Sequence, residues 1–207
     1  MNEQGLNPKG LLVCVSGPSG VGKGTVIQAV RRQHSLLDHS VSVTTRPPRP
    51  GECEGIEYYF RSRQEFESML ERGEILEHDE YCGNYYGTPK GPIADKLAIG
   101  RDVIMDVTVP GSLMTLQAFP DALSIFLLPP SLSELERRLT NRGTEAADII
   151  ARRMSKAEEE ILEAPKFRYI IVNHDVQGTA KLILNILEAE RHLARNQRGI
   201  EQVILER

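Results

Sequence analysis

The sequence predicts an α/β fold, with a mostly parallel sheet as core, helices on both faces and a smaller mixed α/β lobe inserted after the first helix. Three observations carry this. Short apolar runs alternate with helix-patterned segments at both ends of the chain, the pattern of strand–helix–strand units. A glycine-rich loop, Gly17-Pro18-Ser19-Gly20-Val21-Gly22-Lys23-Gly24-Thr25, joins the first apolar run to the first helix. From about residue 40 to residue 89 the alternation stops, and short strands and tight, proline-rich loops take over.

In order along the chain, Leu11–Ser16 is an apolar run of the length of a buried parallel strand. Thr25–Gln33 is the first helix and Ser40–Thr44 a short β-branched strand. Pro47, Pro48 and Pro50 exclude helix or central strand over Arg46–Gly51, which reads as a stiff loop. Glu57–Phe60 alternates as a strand does. Ser62 and Glu65 have the spacing of a capping box, opening a helix to Arg72 that Gly73 closes. Ile75–Tyr81 and Tyr85–Thr88 flank Gly83-Asn84 and read as paired strands. Pro89 opens a helix to Ile99, ended by Gly100.

The parallel pattern then returns. Asp102–Val107 is a buried strand carrying Asp106 near its end, Gly111–Ala118 a short helix and Ala122–Leu128 another buried strand. Ser131 and Glu134 cap a helix to Asn141, broken by Arg142-Gly143. Glu145–Leu162 is a long charged helix, and Tyr169–Asn173 is the last strand. Thr179 to about Arg195 is an amphipathic helix with Leu182, Ile186 and Leu193 at helical spacing, and a turn or two follows Gly199. In doubly wound sheets ligands bind outside the carboxyl ends of the strands, where the glycine loop, Asp106 and Asn173 all fall.

Composition narrows the function. A chain of 207 residues with 40% hydrophobic content suits one large domain with a proper core. A net charge of −4 argues against general nucleic-acid binding, which favours a basic footprint. No apolar run approaches the roughly 20 residues of a membrane span, and the N-terminal segment lacks a signal peptide's apolar region. Cys14, Cys53 and Cys82 show no metal-ligand spacing and read as free thiols of a reducing cytoplasm, Cys14 as a buried strand residue. The five histidines are scattered and read as surface or structural residues, and Glu158-Glu159-Glu160 reads as a solvated helix face.

Three constellations carry chemistry. In the loop of residues 17–25, glycines let backbone N–H groups converge on phosphate oxygens at a helix N-terminus, and Lys23 would reach the outer phosphates. The hydroxyl that usually follows the lysine comes one residue later, at Thr25, because Gly24 takes its place. In Ser42–Glu52, two arginines three apart in a stiff loop suit either a fixed anion site or a solvated basic turn. In the third, Glu77 precedes Gly83-Asn84-Tyr85-Tyr86-Gly87-Thr88. A carboxylate there can accept from guanine N1–H and N2–H₂, and a threonine can donate to O6; adenine offers an acceptor at N1, which Glu77 repels. Alone, that stretch also fits a hairpin with exposed tyrosines.

The segments GPSGVGKGT, SVSVTTRPPRPGE, GNYYGTP, RRLTNRG and IIVNHD, in this order over about residues 10–195, resemble guanylate kinases. The resemblance implies a P-loop NTPase-type core (about residues 10–39, 90–137 and 165–207), a nucleotide-monophosphate lobe (about 40–89) and an arginine-bearing lid (about 138–164). It implies ATP-dependent phosphorylation of GMP to GDP in purine nucleotide metabolism, in the cytoplasm, with Mg²⁺ as cofactor. ATP and GMP, or dGMP, are then the partners, with no nucleic acid and no membrane. By resemblance, Gly17 to Thr25 cradle the ATP phosphates, with Arg138, Arg142 and Arg153 as lid arginines and Asn173 at the adenine. Ser42, Arg46, Arg49, Tyr58 and Tyr86 hold the GMP phosphate, and Glu77 and Thr88 read the guanine. Lys23, Arg46, Arg142 and Arg153 are the catalytic set, and Thr25 and Asp106 lie near the metal.

Asp106-Val107-Thr108-Val109-Pro110-Gly111 departs from the family pattern. Asp106 matches the first of two acids, whereas Thr108 stands for the second, which contributes to guanine binding, and Pro110 stands for a glutamine. Asn141 also replaces a common glycine. Thr108 implies weaker guanine binding or looser base selectivity. It leaves open a related P-loop kinase with another phosphorylated acceptor. A non-catalytic protein-binding module of the same fold is the other alternative, against which stand the intact Gly17, Gly22 and Lys23. No N-K-x-D segment of a GTPase occurs.

Overall fold

The computed structural model describes residues 9–81, 83–140, 147–197 and 199–206. In chain order the elements are β1 (Leu12–Ser16), α1 (Lys23–Gln33), β2 (Leu37–His39), β3 (Ser42–Thr44), β4 (Tyr58–Phe60), α2 (Arg63–Glu71), β5 (Ile75–Tyr81) and β6 (Asn84–Pro89). Then come α3 (Lys90–Ala98), β7 (Asp102–Asp106), α4 (Val109–Ala118), β8 (Leu123–Leu128), α5 (Leu132–Thr140), α6 (Ala147–Leu162), β9 (Tyr169–Val172), α7 (Val176–Arg191) and α8 (Ile200–Leu205).

Five strands form a parallel sheet in the order β2-β7-β1-β8-β9. Alternation along β1 splits its side chains between two cores. Val13 and Val15 pack with Val26, Val30, Ile183 and Leu187 from α1 and α7. Leu12 and Cys14 pack on the other face with Ile93 and Leu97 of α3. Burial pushes the Cys14 thiol up to about 12, so it stays an uncharged packing group. At the N-terminal end of this sheet the fully buried Asp102 accepts the Leu11 N–H at 2.8 Å and pairs with Arg191 of α7.

The second sheet, β4-β3-β6-β5, is mixed: β3 and β4 are parallel, and β6 is antiparallel to β3 and β5. One of its faces packs Val43, Tyr59, Ile75 and Tyr85 onto Phe66, Met69 and Leu70 of α2. The pairs Ser42↔Tyr58, Thr44↔Tyr86 and Glu77↔Thr88 put those residues on the opposite face. A bulge between Ile75 and Glu77 makes this possible. Ile75 enters the small core, the extra residue Leu76 enters the core of the large sheet, and Glu77 turns to the other side.

Several elements differ from the sequence expectation. The β-branched strand begins at Ser42, and a separate strand, β2, precedes it and joins the large sheet. β2 is three residues long with only Leu37 buried, too short for periodicity to show; ion pairing of Asp38 with Arg101 helps hold it. Helix α4 starts at Val109 rather than Gly111, because Thr108 caps it and Pro110 fits its first turn. Helix α7 starts at Val176, capped by Asp175, and ends at Arg191. Its buried stripe runs through Thr179, Ala180, Ile183 and Leu187, one position off the expected Leu182–Ile186 line, and Leu182 is half-exposed. The apolar run Leu182-Ile183-Leu184 has no single face, so packing against α1 sets the phase. Cys53 is an exposed free thiol, and Cys82 lies outside the described residues.

Candidate active site

The glycine loop leaves the end of β1 and closes onto α1. Gly22, the N-cap of α1, sits at φ 100°, a conformation that excludes most side chains. A Cβ at Gly17 would lie 2.3 Å from the Leu127 carbonyl oxygen. Lys23 folds back over the loop, Nζ donating to the Gly17 carbonyl at 2.7 Å. Burial holds its ammonium below the ordinary lysine range, opposed by the carboxylates of Asp106 and Glu160. Asp106, at the exposed end of β7, is ringed by protein atoms whose desolvation raises its carboxyl, and Lys23 opposes that shift.

The back of the loop is anchored. The Val21 carbonyl accepts from Asn173 Nδ2 at 2.8 Å and from Arg138 Nη1 at 3.2 Å. Thr179 donates to Asn173 Oδ1 at 2.9 Å. Asn173, expected at the adenine, lines the cleft beside the loop, and its amide is also bonded inside the protein, to the loop and to α7. Arg138 also donates to Glu134 Oε1 at 2.8 Å and to the Asn173 carbonyl at 3.2 Å, which aims its guanidinium at the loop. A cleft of about 350 Å³ opens here between Gly20, Gly22, Thr25, Arg138, Asn173 and Asp175.

The polar face of the small sheet collects residues expected to bind the acceptor. Arg46 lies 5.5 Å from the Tyr58 ring centre, and Tyr58 meets Tyr86 edge-on at 5.9 Å. Arg46 Nη2 donates to both carboxylate oxygens of Glu52, at 2.8 and 3.0 Å, and the Arg49 N–H donates to Glu52 at 2.8 Å. Sequence reasoning gave Glu52 no role; it orients the loop by joining its two arginine positions. These hydrogen bonds hold the Glu52 carboxyl below its ordinary range. Farther along the face, the buried Glu77 accepts the Thr88 hydroxyl at 2.5 Å. Burial raises the Glu77 carboxyl, and the Thr88 bond partly offsets that.

Helix α4 closes this end of the face. A Cβ at Gly111 would lie 2.6 Å from Glu77 Oε2 and 3.2 Å from Thr108 Oγ1. Only a glycine lets α4 come so close to the carboxylate, a need invisible in the sequence. Thr108, expected among the guanine contacts, accepts the Gly111 N–H at 3.2 Å as the helix cap. Thr108 itself is exposed.

From α6, Arg153 donates to Ser19 of the loop at 2.7 Å. The acidic run on this helix is not uniformly solvated. Glu158 and Glu159 are exposed, but Glu160 is half-buried, with Oε2 shielded from water and close enough to act on Lys23. Arg142 lies outside the described residues. Among the described residues no cluster of three or more His, Cys, Asp or Glu forms a metal cage, and no helix is long and apolar enough to cross a membrane.

A parallel α/β core with a phosphate loop at its carboxyl edge, faced by a small sheet bearing arginines, defines a P-loop kinase fold. A family described as guanylate kinase matches residues 9–190. The chain belongs to the guanylate kinase family. It is 45% identical over 194 residues to the guanylate kinase of Halalkalibacterium halodurans, covering 94% of each chain. It is 45% identical over 199 residues to that of Lactococcus lactis subsp. lactis, covering 96% of each. A crystal structure of guanylate kinase from Anaplasma phagocytophilum superposes with a TM-score of 0.75 at 33% identity, over 98% of this chain and 97% of that one.

Proposed function

We propose that the chain transfers the γ-phosphoryl group of ATP to GMP, giving ADP and GDP. The observation that carries this is the shared face of the small sheet, where the Arg46–Tyr58–Tyr86 group and the buried Glu77–Thr88 pair stand together. A phosphate held by the first and a base read by the second are the two ends of a nucleoside monophosphate. Glu77 accepts from the guanine N1–H and N2–H₂ edge, and Thr88 donates to O6 when its hydroxyl turns from the carboxylate. Ser42, Arg46, Arg49, Tyr58 and Tyr86 bind the phosphate.

On the donor side, the N–H groups of residues 17–25 and Lys23 hold the triphosphate, and Arg138 keeps the loop in shape. A GMP phosphate oxygen attacks the γ-phosphorus, the bond from γ-phosphorus to the bridging oxygen breaks, and ADP leaves with that electron pair. No protein nucleophile is required; positioning and charge neutralisation do the catalysis. Lys23, Arg46 and Arg153, with Arg142 from the family pattern, offset the repulsion between the two anions. Residues 40–89 act as the acceptor lobe and residues 138–164 as the lid. Thr25 and Asp106 are hard oxygen donors, few in number, which suits an Mg²⁺ that stays mostly on phosphate and water. When bound, that ion supplies neutralisation of the β- and γ-phosphate charge. The chain acts in the cytoplasm, on GMP or dGMP.

A coupled ADP-release assay with ATP, Mg²⁺ and a panel of monophosphates tests this. Turnover is expected with GMP. Turnover with none of the panel overturns the enzymatic reading, and faster turnover with AMP or UMP than with GMP overturns the guanine assignment.

A further inference from the structure

Buried polar side chains need partners, and the partners they choose fix their orientation. Asn173 is 3% exposed and Thr179 is 2% exposed. The Val21 carbonyl can only accept, so the Asn173 amide must turn its NH₂ toward it, at 2.8 Å. Asn173 Oδ1 then faces Thr179, whose hydroxyl must donate, at 2.9 Å. The orientation of the Asn173 amide and the direction of both hydrogen bonds are thereby determined.

The consequence falls on the loop. In a trans peptide the C=O and the next N–H point in opposite directions. Asn173 and Arg138 pull the Val21 carbonyl outward, toward α7 and α5. The Gly22 N–H of the same peptide is therefore turned to the concave side of the loop. The Gly22 carbonyl continues the arrangement by accepting the Val26 N–H at 3.1 Å, the first bond of α1. Gly22 is also packed on this anchor, since a Cβ there would meet Asn173 Nδ2 at 3.0 Å.

We propose that Thr179 is a positioning residue for the donor nucleotide. Its hydroxyl locks the Asn173 amide, and the amide holds the Val21–Gly22 peptide in its phosphate-binding orientation. Thr179 touches no substrate and acts only through Asn173. This rests on the reading that the loop of residues 17–25 binds ATP.

The test compares the parent with Thr179→Val and Thr179→Ser, measuring KM for ATP, KM for GMP and the unfolding midpoint of each. The valine keeps the shape and loses the donor; the serine keeps the donor. Thr179→Val is expected to raise KM for ATP about three- to tenfold, the scale of one net hydrogen bond, with KM for GMP within about twofold of the parent. Thr179→Ser is expected to retain the parent's KM for ATP. An unchanged KM for ATP in Thr179→Val overturns the proposal. So does an equal rise for both substrates, or a serine variant as impaired as the valine, since either marks a purely structural residue. Should Thr179→Val not fold, Thr179→Ala replaces it, with the Kd for ADP by calorimetry as readout and the same outcomes. A parent that turns over no ATP refutes the functional reading itself, and a parent that does, with indifferent variants, refutes only this inference.

Discussion

Glu77→Gln separates recognition from stability at the acceptor site. The parent carboxylate is buried and spends one oxygen on the Thr88 hydroxyl at 2.5 Å. In the variant the amide oxygen can take that bond, which leaves an NH₂ group facing the donor edge of guanine. A charge-assisted hydrogen bond of about 1.5–3 kcal/mol is lost, or roughly 10- to 150-fold in KM for GMP. The fold gains, because burial disfavours the charged form of Glu77. The expected result is a large rise in KM for GMP, an unchanged KM for ATP and an unfolding midpoint at or above that of the parent. The sign with pH follows. Glu77 has a raised carboxyl pKa in the folded chain, so its protonated form stabilises the fold below the unfolded value of 4.5, and that contribution is lost as pH rises through the folded value. GMP needs the ionised form, so KM for GMP rises as pH falls toward the raised value, and this limb is absent in Glu77→Gln. Steady-state rates by coupled ADP release, with thermal melts of the same preparations, read all of this. A variant with the parent's KM for GMP, or one whose loss of activity tracks a fall in midpoint, refutes the reasoning.

Gly111→Ala favours helix α4 intrinsically but puts a methyl 2.6 Å from Glu77 Oε2, so KM for GMP is expected to rise at least about tenfold while KM for ATP stays put. Arg46→Lys keeps the charge but cannot span both Glu52 oxygens and a phosphate, so kcat/KM for GMP is expected to fall about 10- to 100-fold with ATP saturation unaffected. Arg191→Met strands the buried Asp102 charge and is expected to cost about 3 kcal/mol in urea unfolding at pH 8. Burial already raises the Asp102 carboxyl, and protonation removes the stranded charge, so the deficit narrows at pH 5. Thr108→Asp keeps a cap on α4 and adds an acceptor beside the guanine edge; a variant that binds GMP no more tightly than the parent removes Thr108 from the list of affinity determinants.

Local chemistry made much of this legible from sequence. The capping box of Ser62 and Glu65 forms, because both halves lie within one turn of chain. The loop of residues 17–25 sits between a strand and a helix, as its glycines require. What escaped was set by approach between distant segments. Nothing near Gly111 announces Glu77, 34 positions earlier in the numbering, and nothing near Thr179 announces Val21. Asn173 carries more than the position expected of it could announce. The amide lies beside the cleft, but its bonds run inward, and only coordinates reveal direction. Glu160 misled for a similar reason: three consecutive acids cannot all face one way on a helix, and the third points toward Lys23.

The bulge in β5 gives the small sheet unequal leverage. Leu76 is rooted in the core of the large sheet while its neighbour Glu77 faces the side proposed to hold the acceptor, and α4 rests against the same strand. Any rotation of the small sheet about this root displaces Arg46, on the far side, through a long arc and Glu77 through a short one. On the proposed function, the base end of the acceptor lies near this fulcrum and the phosphate end near the rim, so such a rotation carries the phosphate farther than the base.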